Sequence, residues 1–384
     1  MVSLPIIIIT AVLLVLALIT PLFSPFSRKV LPEAEVNGTD GQSELPPVSV
    51  VLTDHDSAHH LAQVLPRLLE QEFPADFQIV VVIDRSDSAS EDILKRHSSN
   101  PHLYYTMLPD TSRYLSRKKL GITLGIRAAK YDWVLVTDVH SIPSSVNWLA
   151  AMASHCTEDK NMVLGMSLYG DDTPAYYRYE QLRTMLYHLR TAQRGIPFST
   201  NQSVVMLRKH EFMERGGFIG NLEFARAEFE FLVNKFAKAD SCALALEPQS
   251  WMTAIRPSSK RWRMRNLFAM DAFRCMQRYG RFRILFRLDQ CMMHLYNLLT
   301  VAAVAAGAFM LPELDGIVLL SATSVLWIAS IVERCLIYSP VLRHFDNIPP
   351  LLAVILDWTI SFRNLILRVR YLLADKNDFI THKL

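Results

Sequence analysis

The chain has 384 residues, 51% of them hydrophobic, a mean hydropathy of +0.17 and a formal net charge of +3. That length allows one α/β domain of ordinary size plus membrane segments, and the near-neutral balance gives no global field to attract nucleic acid. Five scattered cysteines (Cys156, Cys242, Cys275, Cys291, Cys335) show no CxxC spacing, which argues against a disulfide framework or zinc site and for a reducing compartment.

Residues 1–27 carry no charge, and Ile6 to Ile19 is almost entirely aliphatic. The segment has no basic n-region and no small-x-small cleavage site, and Arg28-Lys29 follow it directly, so it reads as an uncleaved anchor rather than a secretory signal. The positive-inside rule then puts residue 30 onward in the cytoplasm. Pro32, Asn37, Gly38, Asp40, Gly41 and Pro46 mark residues 28–46 as a linker.

An α/β pattern follows. Strands are expected at Val48–Leu52, Gln78–Ile83, Tyr104–Leu108 and Trp133–Thr137, the second rich in valine as a doubly covered parallel strand should be. Helices are expected between them: Ala58–Glu70 with Leu61, Val64, Leu65, Leu68 and Leu69 at helical spacing, Ser90–His97 with the acidic first turn Glu91-Asp92, and Lys118–Lys130. Alternation of this kind implies a mostly parallel sheet with ligands at the carboxyl ends of its strands. The pattern is mixed beyond residue 145, with helices expected at Trp148–Cys156, Tyr176–Gln193 and Glu223–Ala239 and strands at Met162–Leu168 and Val204–Leu207.

The C-terminal part is membrane-like. Cys291–Pro312 has no formally charged residue, Gly316–Val332 has none, and each approaches the ~20 residues that span a bilayer. The intervening Pro312-Glu313-Leu314-Asp315 is acidic, whereas 256–287 holds ten arginines and lysines against Asp271, so the charges fit a cytoplasmic basic segment at 266–289 before two spans within 290–340. Asp357 and Arg363 interrupt the apolar run 349–370, and the tail is basic, so 341–384 is expected to form an interfacial or re-entrant helix and a tail. The spans show no charge at their centres, which argues against a transporter.

Asp138-Val139-His140 ends the apolar run Trp133–Val136 with a carboxylate, a spacer and an imidazole. Such a pair suits a divalent cation, although imidazole suits Mn2+ better than Mg2+. The alternative is a strand-ending Asp that caps the turn before Pro143. His59-His60 read as an exposed helix start. No Walker-A, GxGxxG or GxSxG sequence is present.

Several runs together resemble the family-2 glycosyltransferases of GT-A fold that act in bacterial polysaccharide synthesis. Pro47–Leu52 is similar to their first strand, Val80–Asp87 to their second strand and its acidic turn, and Ser116–Ile122 through Ala128–Lys130 to Asp138 to their donor-binding half. The resemblance covers 47–265 and implies an α/β GT-A nucleotide-diphospho-sugar transferase fold plus transmembrane helices. By it, Asp84 contacts a uracil-type base, Thr53 and Asp54 line the same pocket, Arg117 and Lys118 meet donor phosphates, and Asp138 with His140 holds Mn2+ or Mg2+. Lys119 reads as solvated, and an exposed helix face remains the alternative for Lys118. Glu228 falls at the position of the catalytic base and Glu230 at that of a later acid, with Gly216-Gly217-Phe218 preceding them; two acids on a solvated helix face is the other reading. The chain departs from the family where Ala227 replaces the first acid of that pair, where Ile83 and His140 replace acids, and where Phe198–Ser203 lacks glycines. Trp262 among Lys260, Arg261, Arg263 and Arg265 is loosely similar to the Gln-x-x-Arg-Trp segment, but most of these cations are expected on anionic lipid.

The implied function is an inverting, metal-dependent transfer from a nucleotide-sugar donor, UDP-linked by the base match, to a lipid-linked or polysaccharide acceptor at the inner membrane's cytoplasmic face. The alternative is a degenerate homologue that binds nucleotide or glycan and supports a partner synthase or export protein.

Overall fold

The computed structural model describes residues 2–28, 44–55, 57–109 and 116–374, the side chains of residues 279 and 282 excepted. Most of the expected 28–46 linker and the basic tail with Lys376 and Lys383 lie outside the described residues. The strands are β1 (Val48–Thr53), β2 (Phe77–Asp84), β3 (Leu103–Leu108), β4 (Trp133–Asp138), β5 (Ser141–Pro143), β6 (Met162–Leu164), β7 (Met166–Tyr169), β8 (Val205–Arg208), β9 (Cys242–Leu244) and β10 (Trp251–Ala254). The helices are α1 (Leu4–Ile19), α2 (Ala58–Leu69), α3 (Ser88–Arg96), α4 (Arg117–Ala128), α5 (Trp148–Ala153), α6 (Ala175–Ala192), α7 (Lys209–Glu214), α8 (Glu228–Phe236), α9 (Ser259–Phe273), α10 (Tyr279–Phe309), α11 (Leu314–Phe345) and α12 (Pro350–Leu373). The chain divides into two compact units, one of residues 31–173, 191–279 and 370–384, the other of residues 1–30, 174–190 and 280–369. Residues 174–190, inside the expected 47–265 domain, thus cluster with the helical unit.

The first unit is built on a seven-stranded sheet of order β3-β2-β1-β4-β8-β6-β9. β1 pairs in parallel with β2 and β4, and β2 with β3, while β8 is antiparallel to β4 and β6. All six residues of β1 are buried, as a strand covered on both faces requires. Leu61, Val64, Leu65 and Leu68 of α2 supply one covering layer at the spacing expected. On α4, glycine permits a close approach: a Cβ on Gly125 would lie 2.4 Å from Val51 Cγ1, and one on Gly121 would lie 2.9 Å from Thr53 Cγ2. A smaller sheet, β5-β10-β7, stands beside the end of β4.

The expected single strand at 162–168 is two. Gly165 breaks it, sending β6 to the large sheet and β7 to the small one. A Cβ there would lie 2.6 Å from Val204 Cγ1 and 2.9 Å from Met152 Sδ, so only glycine admits the passage. The expected helix at Glu223–Ala239 shrinks to α8, because Ala227 adopts a left-handed φ of 70° that stops the helix from extending backward. β5, β9, β10, α7 and α9 were not expected; strands of three or four residues carry too little alternation to read.

In the second unit, four segments are long and apolar enough to cross a membrane: Leu4–Phe23, Arg283–Phe309, Leu314–Phe345 and Pro350–Leu373. The segment expected to be interfacial or re-entrant is therefore one helix of 24 residues, of spanning length. Ile6, Leu13 and Ala17 of α1 pack with Tyr296, Ala303 and Leu319, while Ile7, Ile8, Val15 and Leu18 face outward. Outside the stretches 291–312 and 316–332, the helices do bury charged residues: Asp289, Arg334 and Asp357 are 0%, 2% and 1% exposed. They are tolerated because they meet partners. Arg183 of α6 donates from Nε to Asp357 (2.9 Å) and from Nη2 to Asp289 (2.5 Å). The hydroxyls of Tyr187 and Tyr338 donate to Asp289 and Asp357, each at 2.8 Å. Arg334 donates to the Tyr338 oxygen at 3.4 Å. Two arginines and two aspartates make the layer neutral.

Candidate active site

Register brings three parallel strand ends level. Thr53 pairs with Asp138 across β1 and β4 and with Val82 across β1 and β2. The crevice beyond those carboxyl ends therefore receives Thr53, Asp54, Asp84 and Asp138, as a parallel sheet should arrange it. Asp84 is 2% exposed; its Oδ1 accepts from Nε and Nη2 of Arg117 at 2.9 and 2.5 Å, and its Oδ2 meets His55 Nδ1. Asp54 accepts from Ser90 Oγ at 2.6 Å. Its second oxygen and Thr53 Oγ1 are buried with no hydrogen-bond partner among the described residues. Burial pushes the Asp54 carboxyl up, and the Ser90 bond opposes it.

The first turn of α4 joins this cluster to a second one. Ser116 caps the helix, accepting from the Lys119 amide at 3.3 Å, and its hydroxyl donates to Glu228 Oε1 at 3.4 Å. Arg117 turns to Asp84. Lys118 Nζ lies 3.3 Å from Asp138 Oδ2. Lys119, expected to be solvated, is instead 1% exposed. Its ammonium donates to the carbonyls of Asn221 and Phe224, both at 2.6 Å, and lies 4.7 Å from the Phe231 ring centre and 5.9 Å from those of Phe218 and Phe224. Burial lowers its pKa to about 8, against the pull of Glu228, Glu230 and Glu223. The helical pattern misled because the first-turn lysines diverge by about 100° per residue, so one meets the crevice and its neighbour a loop.

Lys118, Asp138, His140, Glu228 and Glu230 line one pocket. Glu228 is 7% exposed, so the reading of two acids on a solvated face fails for it. The half-buried Glu230 carboxyl is pushed up by burial, with Arg265 opposing. Arg261, Trp262 and Arg265 of α9 line the same pocket, so two of the four cations around Trp262 face this pocket and not lipid. Arg265 donates to the Tyr169 hydroxyl at 3.3 Å and to the Asn201 carbonyl. No sequence pattern announces the part of the lining where Ser141, Ser167 and Ser203 from three separate segments bond mutually at 2.7–3.2 Å. In place of the missing glycines before β8, Gln202 accepts from the Ser167 amide at 2.7 Å.

Asp138 and His140 have the donor chemistry of a divalent-cation site. Burial would raise the Asp138 carboxyl, but Lys118, His140 and Arg261 outweigh it and hold it at about 2, so it is ionised. Burial brings the His140 pKa down to about 3, so the imidazole is neutral, and its buried Nδ1 has no partner. The His60 ring stands edge-on to it at 4.6 Å, which corrects the reading of His60 as merely exposed. Among the described residues no group of three or more His, Cys, Asp or Glu side chains could hold a metal. These residues fit a cation only as two protein donors whose remaining ligands come from the substrate.

Residues 49–216 match the profile described as glycosyl transferase family 2. The chain is 27% identical over 117 residues to a chondroitin synthase of Escherichia coli, a match covering 30% of this chain and 16% of that protein's length. Its fold is similar to that of a mannosyltransferase from Pyrobaculum calidifontis solved with GDP-Man and Mn2+, with a TM-score of 0.53 and 16% identity over 85% of this chain and 97% of that one. TarS from S. aureus, solved with UDP-GlcNAc, aligns with a TM-score of 0.43 and 13% identity over 76% of this chain and 81% of that one.

Proposed function

We propose that the chain is a membrane-bound inverting transferase of glycosyl transferase family 2, whose profile residues 49–216 match. It moves a sugar from a UDP-linked donor to a lipid-linked or polysaccharide acceptor on the cytoplasmic face of the inner membrane. The observation that carries this reading is the shared pocket of Lys118, Asp138, His140, Glu228 and Glu230 at the carboxyl end of the parallel sheet.

In the proposed reaction, Thr53, Asp54 and Asp84 hold the base, with Arg117 fixing the Asp84 carboxylate. Asp138 and His140 are the residues that would hold Mn2+ or Mg2+, which when bound supplies positive charge to the departing diphosphate. Lys118, beside Asp138, adds a cation to the same place. Glu228, which accepts from the Ser116 hydroxyl, removes the proton of the acceptor hydroxyl as its oxygen attacks the anomeric carbon. The bond from that carbon to the diphosphate oxygen breaks, the electron pair leaves with the diphosphate, and the configuration inverts. Glu230, two residues further along α8, lines the same pocket, and burial pushes its carboxyl up with Arg265 opposing.

Ala227, standing where the family has an acid, favours a second reading, a homologue that binds donor or glycan for a partner synthase without turnover. One experiment separates the two. Purified full-length protein in detergent is titrated with UDP and UDP-sugars, with and without Mn2+ or Mg2+, and UDP release is followed. Cation-dependent binding and release, both lost in Asp138→Ala, support the enzyme. Binding without release supports the second reading, and no binding under any cation refutes both.

A further inference from the structure

Four consecutive residues at the start of α4 reach four different places. Ser116 holds Glu228, Arg117 holds Asp84, Lys118 faces Asp138, and Lys119 grips the carbonyls of Asn221 and Phe224. Gly121 and Gly125 seat the same helix against the ends of β1, so little slack separates the turn from the strand ends. The 221–224 segment leads within three residues into left-handed Ala227 and then Glu228. A fully buried lysine is uncommon without a reason. Among the described residues its charge meets no direct ion pair; it is spent on two main-chain oxygens and three aromatic faces.

We propose that Lys119 is a positioning residue that ties the acceptor-side acid Glu228 to the donor-side turn, so that occupancy of the donor site at Arg117 and Lys118 is felt by the 217–227 segment. The role rests on the reading of Glu228 as the base. Arg117 and Lys118 are the residues a nucleoside diphosphate would engage. Any rotation of their turn carries Ser116 and Lys119 with it, because the four share one turn of hydrogen-bonded backbone. Lys119 pulls on the loop before Glu228 while Ser116 pulls on its carboxylate. Two tethers from one turn fix both the direction and the depth of that side chain, which a single tether would leave free to swing.

The test is hydrogen exchange on full-length protein in detergent, with UDP plus Mn2+ as the probe and peptides covering 217–227 as the readout. In the wild type, nucleotide is expected to slow exchange there at least threefold. Lys119→Met, which keeps an unbranched apolar chain among the phenylalanines, is expected to lose that response while binding UDP within twofold of wild type. Its kcat for UDP-sugar hydrolysis should fall tenfold or more at a donor KM changed less than twofold, and Lys119→Arg should recover most of both effects. A merely structural lysine would move donor KM, melting temperature and kcat together and would not leave UDP binding intact. A wild-type protein that binds UDP without any change at 217–227 overturns the coupling even if no variant folds. So does a Lys119→Met protein that responds normally. Absence of hydrolysis in a wild type whose 217–227 segment responds speaks against the transferase reading and supports the tether, whereas absence of UDP binding overturns both.

Discussion

The buried charge layer of the helical unit gives the sharpest prediction. Arg183 is 1% exposed and makes charge-assisted bonds to two carboxylates, Asp289 and Asp357, themselves 0% and 1% exposed. Replacing Arg183 by Met keeps a long apolar stem for the stacking it makes over Tyr187 and Phe286, whose ring centres lie 5.1 and 4.7 Å from its guanidinium. It leaves two buried carboxylates with Arg334 as the nearby cation, one hydroxyl each from Tyr187 and Tyr338, and the Gln290 amide at 3.4 Å from Asp357. Removing one partner of a buried ion pair costs roughly 3–5 kcal/mol, because the surviving charge stays desolvated. At about 2–4 °C of melting temperature per kcal/mol for a protein of this size, Arg183→Met should lower the apparent melting temperature by on the order of 10 °C. The control is Arg183→Met with Asp289→Asn, which restores equal numbers of the two charges and should recover at least half of the loss. The assay is the fraction of detergent-solubilised protein that remains monodisperse after heating. A single variant within 2 °C of wild type, on the order of measurement scatter and far below the loss estimated above, would refute the claim that these charges depend on one another. So would a double variant worse than the single one.

Further outcomes follow from the first unit. Arg117→Met strips the bidentate partner from Asp84 and should weaken UDP binding roughly tenfold to a hundredfold, the range of a hydrogen bond to a charged group, measured by calorimetry; an unchanged Kd removes Arg117 from the donor site. Lys119 has a folded pKa of about 8 against 10.5 unfolded, so the unfolded chain holds more protons between those values and the contribution is full above 10.5 and lost as pH falls through about 8. Wild type should therefore gain up to ~3 kcal/mol relative to Lys119→Met as pH rises across that window, and parallel stability curves for the two proteins would contradict the burial of its charge. Gly125→Ala pushes a methyl to 2.4 Å from Val51 Cγ1 and should lower the melting temperature, whereas Gly280→Ala, with nothing within 4 Å in α10, should hold or raise it. Equal effects would mean that α4 has room to move off β1.

The gathering of side chains proposed to bind the donor was legible because each part of it is local. Asp138 ends its own strand, Arg117 and Lys118 open the next element upstream, and Thr53, Asp54 and Asp84 close β1 and β2, so strand ends predicted from short apolar runs also predict where the side chains gather. Residues 291–332 were legible for a similar reason, since spanning length is a property of one segment. The pocket beyond Asp138 was not. Its lining includes Ser141, Ser167 and Ser203 from segments 26 and 36 residues apart, and nothing in three isolated serines announces a cluster. Its cationic wall was misread because Arg261 and Arg265 sit in a run of basic residues whose simplest reading is a lipid-facing stretch.

The charges whose burial went unread in the helices show why such readings fail in one direction. A lone Asp289, Arg334 or Asp357 in an apolar run looks like the edge of a span or an interfacial break, because an unpaired charge at that depth is too costly to bury. The cost disappears only when the opposite charge arrives from elsewhere, and for Asp357 it arrives from Arg183, 174 residues away. Pairing over that distance is a property of topology, so a single-segment argument always errs toward exposure for such residues. Lys119 was misread as solvated on the same logic at shorter range, since the two carbonyls that accept its charge lie 102 and 105 residues along the chain. Where a charged side chain interrupts an otherwise buried pattern, the useful question is therefore which remote group satisfies it. In this chain the answers join α6 to α10 and α12 in one unit, and α4 to the loop before Glu228 in the other.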